Sequence, residues 1–268
     1  MIEKELLLSF FKRNIKLSLI VTGVTAMIIL LLITIFPDMP ADNAGTVSES
    51  WPRMMKDLFG DPVFSFTNIY GWLDLQIFHI TYWIAFGLLG AILAANIIAK
   101  EIEENTIDIL LSYPMTRNSL VFSRIISVMI IMLIVTCIML LICILGVFIA
   151  GHAIRIGKIV HAVLSGFFIS MIFASVTLFI SIVTSQKTLS VFFTLGIMGF
   201  FFLYEQVLIK LYPVLNMFSL INPFHYYQTK AILIDSIFSF LNYVLMAVFV
   251  IVIQILSVFF FNRKEITQ

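Results

Sequence analysis

The residue types that carry covalent or metal chemistry are few in this chain, and they do not converge. Four histidines stand at 79, 152, 161 and 225, and two cysteines at 137 and 143. Metal sites read from sequence need short fixed spacings such as Cys-x-x-Cys or His-Glu-x-x-His, and neither occurs. His152 and His161 come nearest to a ligand pair, but two histidines at a membrane interface explain them more simply. Cys137 and Cys143 lie in one apolar run, point in different directions if helical, and read as apolar filler. The 13 methionines are scattered, which fits packing better than copper handling. There is no Gly-x-Ser-x-Gly nucleophile turn, and no Gly-x-x-x-x-Gly-Lys-Ser/Thr loop to cradle phosphates. The expectation is a chain with no catalytic site, no metal and no cofactor of its own.

Ionisable residues inside apolar runs are the next place to look. Proton- or sodium-driven transport needs a carboxylate or its equivalent within the membrane. Glu205 and His79 are the nearest candidates. Transporters that bind ions on broken helices also show proline or glycine interruptions, yet Pro37, Pro213 and Pro223 sit at or beyond the ends of runs. Both observations point to an energy source outside the chain.

The stretch 100–124 is the most informative. Ile98, Ile102, Ile109 and Leu110 alternate at helical spacing with Glu101, Glu104 and Asp108. Pro114 stops the helix near Tyr113, and Thr116 or Asn118 can cap the next one. A short acidic and apolar helix suits docking into a groove on a soluble partner. A solvated hairpin between two spans fits the same spacing.

These residues must be positioned by the rest of the chain, and composition says how. Of 268 residues, 61% are apolar and 12% charged, against roughly half and a quarter in soluble domains. With 16 Lys+Arg and 15 Asp+Glu, no basic surplus exists to hold nucleic acid. A bilayer core of about 30 Å needs about 20 helical residues. Continuously apolar, charge-poor runs predict six transmembrane helices at 17–37, 75–99, 125–150, 159–184, 188–210 and 238–262. The fold class is all-α, a polytopic integral membrane protein with one transmembrane domain over 1–268.

Residues 1–16 set Ile2, Leu6, Leu7, Phe10 and Phe11 against Glu3, Lys4, Lys12 and Arg13, which predicts an amphipathic helix along the membrane face. It is not expected to be a removable signal peptide, because Glu3 and Glu5 break up the basic leader. Lys4, Lys12, Arg13, Lys16, Lys100, Arg117, Arg124, Lys187, Arg263 and Lys264 fall on one side of a six-span topology. Arg53, Lys56, Arg155, Lys158, Lys210 and Lys230 fall on the other. The positive-inside rule then places both termini in the cytoplasm of a cell-membrane protein. The 38–74 loop is extracellular, with a surface helix from Ser50 through Phe59. Small residues recur at every fourth position at Gly87, Ala91, Ala95 and Ala99, and at Ala162, Gly166, Ser170 and Ala174. Such stripes allow close backbone approach, within one subunit or between two.

Taken in order, these features resemble the permeases of type-2 ATP-binding-cassette (ABC) exporters. The hairpin reads Glu103-Glu104-Asn105-Thr106, Ile109-Leu110-Leu111-Ser112, then Pro114-Met115-Thr116-Arg117. It is similar to the family's signature of an acidic pair, Gly-Thr, a leucine-rich run, and Pro with a hydroxyl or small residue and Arg. Asn105 stands where the family often has Gly, and both tolerate left-handed backbone. Ile221-Asn222-Pro223-Phe224-His225-Tyr226-Tyr227 is similar to the family's Asn-Pro-aromatic stretch. The resemblance implies that 100–118 is a cytoplasmic coupling hairpin and 211–235 an extracellular re-entrant segment. It implies two cytoplasmic ABC ATPase subunits that bind ATP and Mg, and a second permease copy or a homologous permease in the lipid. It makes Glu101, Glu103, Glu104, Thr106, Leu110 and Arg117 the ATPase-coupling residues. Spans two and five would border the path, which singles out Asn96, Tyr204 and Glu205. Phe192, Phe193 and Phe200–Phe202 would favour an apolar or amphipathic substrate, unless they face lipid. Two other functions stay open: a non-transporting membrane anchor or sensor for a soluble ATPase, and an ion-coupled secondary transporter.

Overall fold

The computed structural model of the protein describes residues 4–36, 66–104 and 117–263, with scattered positions between 43 and 56. Six helices are long and apolar enough to cross a membrane, and no strand occurs among the described residues. They are α1 (Lys4–Thr34), α2 (Ile69–Ala95), α3 (Arg117–Ile149), α4 (Ile156–Thr184), α5 (Lys187–Leu211) and α6 (Phe240–Arg263). At 1.5 Å per residue the shortest, 24 residues, extends about 36 Å, enough for the hydrocarbon core. The chain is an all-α polytopic membrane protein.

Successive spans alternate in direction. The start of α1, the end of α2 and the turn between α4 and α5 therefore share one end of the bundle, here the hairpin face. Bonds between segments tie this end together. The Lys187 N–H at the start of α5 donates to Glu103 Oε1 at 2.8 Å, and Asn262 Nδ2 near the end of α6 donates to Asn118 Oδ1 at 2.6 Å. The opposite end, the far face, holds residues 66–68, 150–155 and 212–239.

α4 is the central helix and packs against α2, α3, α5 and α6, while α1 pairs with α3. Its small-residue stripe meets α2. A Cβ on Gly166 would overlap the Tyr82 ring, and one on Gly90 of α2 would lie 2.8 Å from the Ser170 carbonyl oxygen. Helices in lipid gain little from hydrophobic burial against one another, so backbone proximity and dispersion hold this pair. Ser170, Ser175 and Thr177 are buried, and each hydroxyl donates to the carbonyl four residues earlier. That keeps polar groups satisfied inside an apolar bundle.

Several elements differ from the charge-free runs. The 1–16 leader is not set apart, because one helix runs Lys4–Thr34 without a break. No proline or glycine interrupts it before Gly23. Asn14, Ser18 and Thr22 donate back to the carbonyls of Phe10, Asn14 and Ser18 and so cost the helix nothing in unmet bonds. α2 begins at Ile69, ahead of Leu75, and so takes Asp74 into the span. Asp74–Phe78 is a π-helical stretch before α geometry resumes at Thr81. The run 75–99 is broken at its other end by a turn at Asn96, followed by the short helix Ala99–Glu103. Further π stretches occur at Tyr204–Leu208 in α5 and at Ala231–Asp235.

Residues 213–226 form a 3-10 helix, Pro213–Ile221, and a short helix, Pro223–Tyr226. Asn222 caps the latter, its Oδ1 accepting the Phe224 N–H at 3.0 Å. The helix expected from Ser50 through Phe59 and the hairpin's 105–116 lie outside the described residues.

Candidate functional site

Two polar constellations interrupt the apolar bundle, one at each face. At the hairpin face the centre is Glu101, 3% exposed. Its Oε1 accepts from Arg13 Nη2 at 2.6 Å and lies 3.3 Å from Arg124 Nη2. Arg124 Nη1 also donates to the Ile97 carbonyl. The Phe10 ring sits 5.7 Å from the Arg13 guanidinium and 5.5 Å from that of Arg124. Beside this group, Asn96 Nδ2 donates to Asn14 Oδ1 at 2.8 Å, and Ser127 Oγ donates to the Leu7 carbonyl at 3.1 Å. One carboxylate thus ties α1 and α3 to the short helix that follows α2. A buried ion pair adds little net stability, but removing one partner strands a buried charge at a cost of several kcal/mol.

The hairpin acids consequently divide. Glu101, expected to face the docking partner, turns into the protein. Two residues apart on a helix do not share a side, so Glu103 is exposed. It caps the start of α5 through Lys187. Glu104 is exposed and lies 3.7 Å from Lys100. Arg117 opens α3 at the same face, half-buried. Thr106 and Leu110 lie outside the described residues.

The expected path residues are not brought together. Asn96 is buried at the hairpin face, whereas Tyr204 and Glu205 sit at the far end of α5. There they hold the 213–226 segment. Tyr204 Oη donates to the Leu215 carbonyl at 2.8 Å. Glu205 Oε1 meets His225 Nδ1 at 2.9 Å, and Oε2 accepts from Asn222 Nδ2 at 3.0 Å. Asn222 also donates to the Phe201 carbonyl at 2.9 Å. Among the phenylalanines, Phe192, Phe193 and Phe200 are exposed and flank a shallow apolar groove with Gly196 and Ile197. Phe202 is buried against Trp83 and Phe224.

The far face contains a cavity of about 440 Å³ between the outer ends of α2 and α5 and the segment 224–235. Sequence reasoning did not single out its most buried acid, Asp74. Asp74 is 4% exposed, and its Oδ1 accepts from Thr229 Oγ1 at 2.6 Å. Tyr227 Oη donates to the Phe78 carbonyl at 2.7 Å, which crosses the π stretch that begins at Asp74. Burial pushes the Tyr227 phenol well above its usual range, so it stays a donor. Behind the cavity, Lys158 Nζ donates to the Leu233 and Ile234 carbonyls and lies 5.4 Å from the Tyr70 ring centre. Glu205 and His79, the ionisable candidates that the apolar runs offered, both line this cavity, whereas Asp74 showed in the sequence only as an acid at the edge of an apolar run. Nothing in the spacing tied Asp74 to Thr229.

His79 lines the cavity, and the other two histidines pack against aromatic rings. His161 stacks on Phe238 and Tyr243, with Nδ1 3.1 Å from Tyr243 Oη. His152 lies edge-on to Phe36.

The fold defines a class first: a multi-pass helical membrane protein whose polar groups link helices. The family described as "ABC-2 family transporter protein" matches residues 11–266, and this chain belongs to it. It is an ABC transporter permease, a multi-pass membrane protein of a transport system. No curated protein matches the chain.

Proposed function

We propose that the chain is the permease of an ABC exporter, with two cytoplasmic ATPase subunits docking on the hairpin that follows Ala99–Glu103. Family membership over 11–266 is the observation that carries this reading. ATP and Mg are bound and hydrolysed in those partners. The hairpin face is cytoplasmic, as are both termini. Glu103, Glu104 and Arg117 present the docking surface, and Thr106 and Leu110 of the same hairpin sequence are further coupling residues. Glu101 works beneath it, passing displacement of the hairpin to α1 and α3 through Arg13 and Arg124. Motion then travels as rigid-body shifts of packed spans, driven by differential binding of the hairpin to the two ATPase states. A second permease copy, identical or homologous, covers the exposed phenylalanine face of α5. Asn96, Tyr204 and Glu205 border the path from its two ends, and the carried solute is apolar or amphipathic.

Charge reversal at Glu103 and Glu104 tests the docking assignment. The double variant is expected to insert normally and to lose co-purification with its ATPase. Unchanged association would remove this surface from the proposal. Solute export that proceeds in liposomes with the chain alone, driven by an ion gradient, would overturn the whole reading.

A further inference from the structure

The far-face cavity carries chemistry that ATPase coupling does not use. Asp74 lies inside a membrane span and is 4% exposed. A carboxylate has room for about four donors, and the hydrogen bond from Thr229 supplies one. No ion pair to Asp74 occurs among the described residues. A buried carboxylate with one donor has acceptor capacity left, and the cavity it lines has room for a cationic or strong donor partner. At about 440 Å³ the space falls in the range of small-ligand pockets and far exceeds that of one water.

Two more observations narrow the ligand. Among the described residues the lining holds three lysines (Lys56, Lys210, Lys230) and three carboxylates (Asp74, Glu205, Asp235). Glu205 is engaged by His225 and Asn222; Lys210 Nζ lies 3.4 Å from Gln206 Oε1, and both Lys210 and Lys230 are exposed at the rim. A bare cation would meet the lysines and a bare anion would meet Asp74; a molecule carrying both signs suits both. The three carboxylates all ride on π-helical stretches: Asp74–Phe78, Tyr204–Leu208 and Ala231–Asp235. Such turns make up well under 1% of residues and collect at functional sites. Here they converge on one cavity.

We propose that this cavity binds a zwitterionic group, its primary ammonium on Asp74 and its phosphate or carboxylate on Lys210 and Lys230. The group belongs either to a membrane lipid headgroup or to a free solute of the same chemistry. The exposed apolar side chains of Pro213–Ile221, such as Val214, Met217 and Leu220, lie in the chain between the lining residues Lys210 and Phe224 and suit the lipid source. The inference does not depend on the coupling reading, and either can fail alone.

The test uses the full chain purified in detergent. Retention of phosphatidylethanolamine, phosphatidylcholine and phosphatidylglycerol is compared by native mass spectrometry. Phosphatidylethanolamine is expected to be held about tenfold better than either, the scale of one charge-assisted hydrogen bond. Choline has the charge but no N–H for Asp74, and glycerol has neither. Asp74→Asn should abolish the preference, Asp74→Glu should keep most of it, and Lys230→Gln should weaken retention of the phosphate-bearing headgroup. Displacement of the lipid by free glycerophosphoethanolamine assigns the site to a soluble ligand; failure to displace it assigns the site to a lipid. Equal retention of the three lipids by the unaltered chain overturns the proposal without any variant. So does an unchanged preference in Asp74→Asn with intact helical circular dichroism.

Discussion

The two faces of the bundle treat a buried carboxylate in opposite ways. At the hairpin face, Glu101 is enclosed by Arg13 and Arg124, which stand on two different spans. At the far face, Asp74 is equally buried but has a single hydroxyl partner and a cavity beside it. The first arrangement is a closed joint for the acid, which exists for the segments it connects, although Arg124 Nε and Asn96 Oδ1 beside it are buried with no hydrogen-bond partner among the described residues. The second leaves an acceptor in reserve. Burial alone does not say what a charge is for; the completeness of its partners does.

The largest expected effect breaks the closed joint. Glu101→Ala should destabilise the protein by about 3–5 kcal/mol, because Arg124 is then buried without its acid. Thermal unfolding in detergent reads this, and a loss no larger than that of a surface variant would make the joint ornamental. Removing the donor at the other face should cost less. Thr229→Val is expected to destabilise by about 1–3 kcal/mol, since Asp74 keeps access to the cavity. A cost matching that of Glu101→Ala would erase the contrast between the faces. Glu205→Ala should come next, at about 1–2 kcal/mol, with its effect confined to 213–226. Amide hydrogen exchange would rise there and stay unchanged at Ala99–Glu103. The smallest effect belongs to Glu103→Lys and Glu104→Lys. Each exposed acid should shift stability by no more than about 0.5 kcal/mol, although the pair is expected to decide ATPase association.

Particular residues show where sequence reading succeeded and where it stopped. The membrane spans were legible because hydrocarbon tolerates neither unpaired backbone nor unpaired charge, so long apolar stretches without charge mean helices. The family was legible from motif order in the hairpin and around Asn222-Pro223. Small-residue spacing in α4 announced a close helix contact. Only the packed structure showed that this contact is internal, with Gly166 under Tyr82 and Gly90 against Ser170. The inward turn of Glu101 was hidden, because Arg13 and Arg124 lie far from it along the chain. The π stretches were hidden too. They contain no proline, and Asp74–Phe78 is spelled Asp-Leu-Gln-Ile-Phe, a string that any α-helix accepts.

By itself, then, the order of residues determined the solvent in which this protein lives, the number of crossings and the family to which it belongs. Those properties follow from local quantities: the transfer cost of each side chain and the length of uninterrupted apolar chain. What only the tertiary structure decided is which buried charges are matched. Matching depends on distances between segments that chain spacing does not encode, as Glu101 meeting Arg13 and Asp74 meeting Thr229 both show. The closed joint at one face and the open acceptor at the other are products of packing.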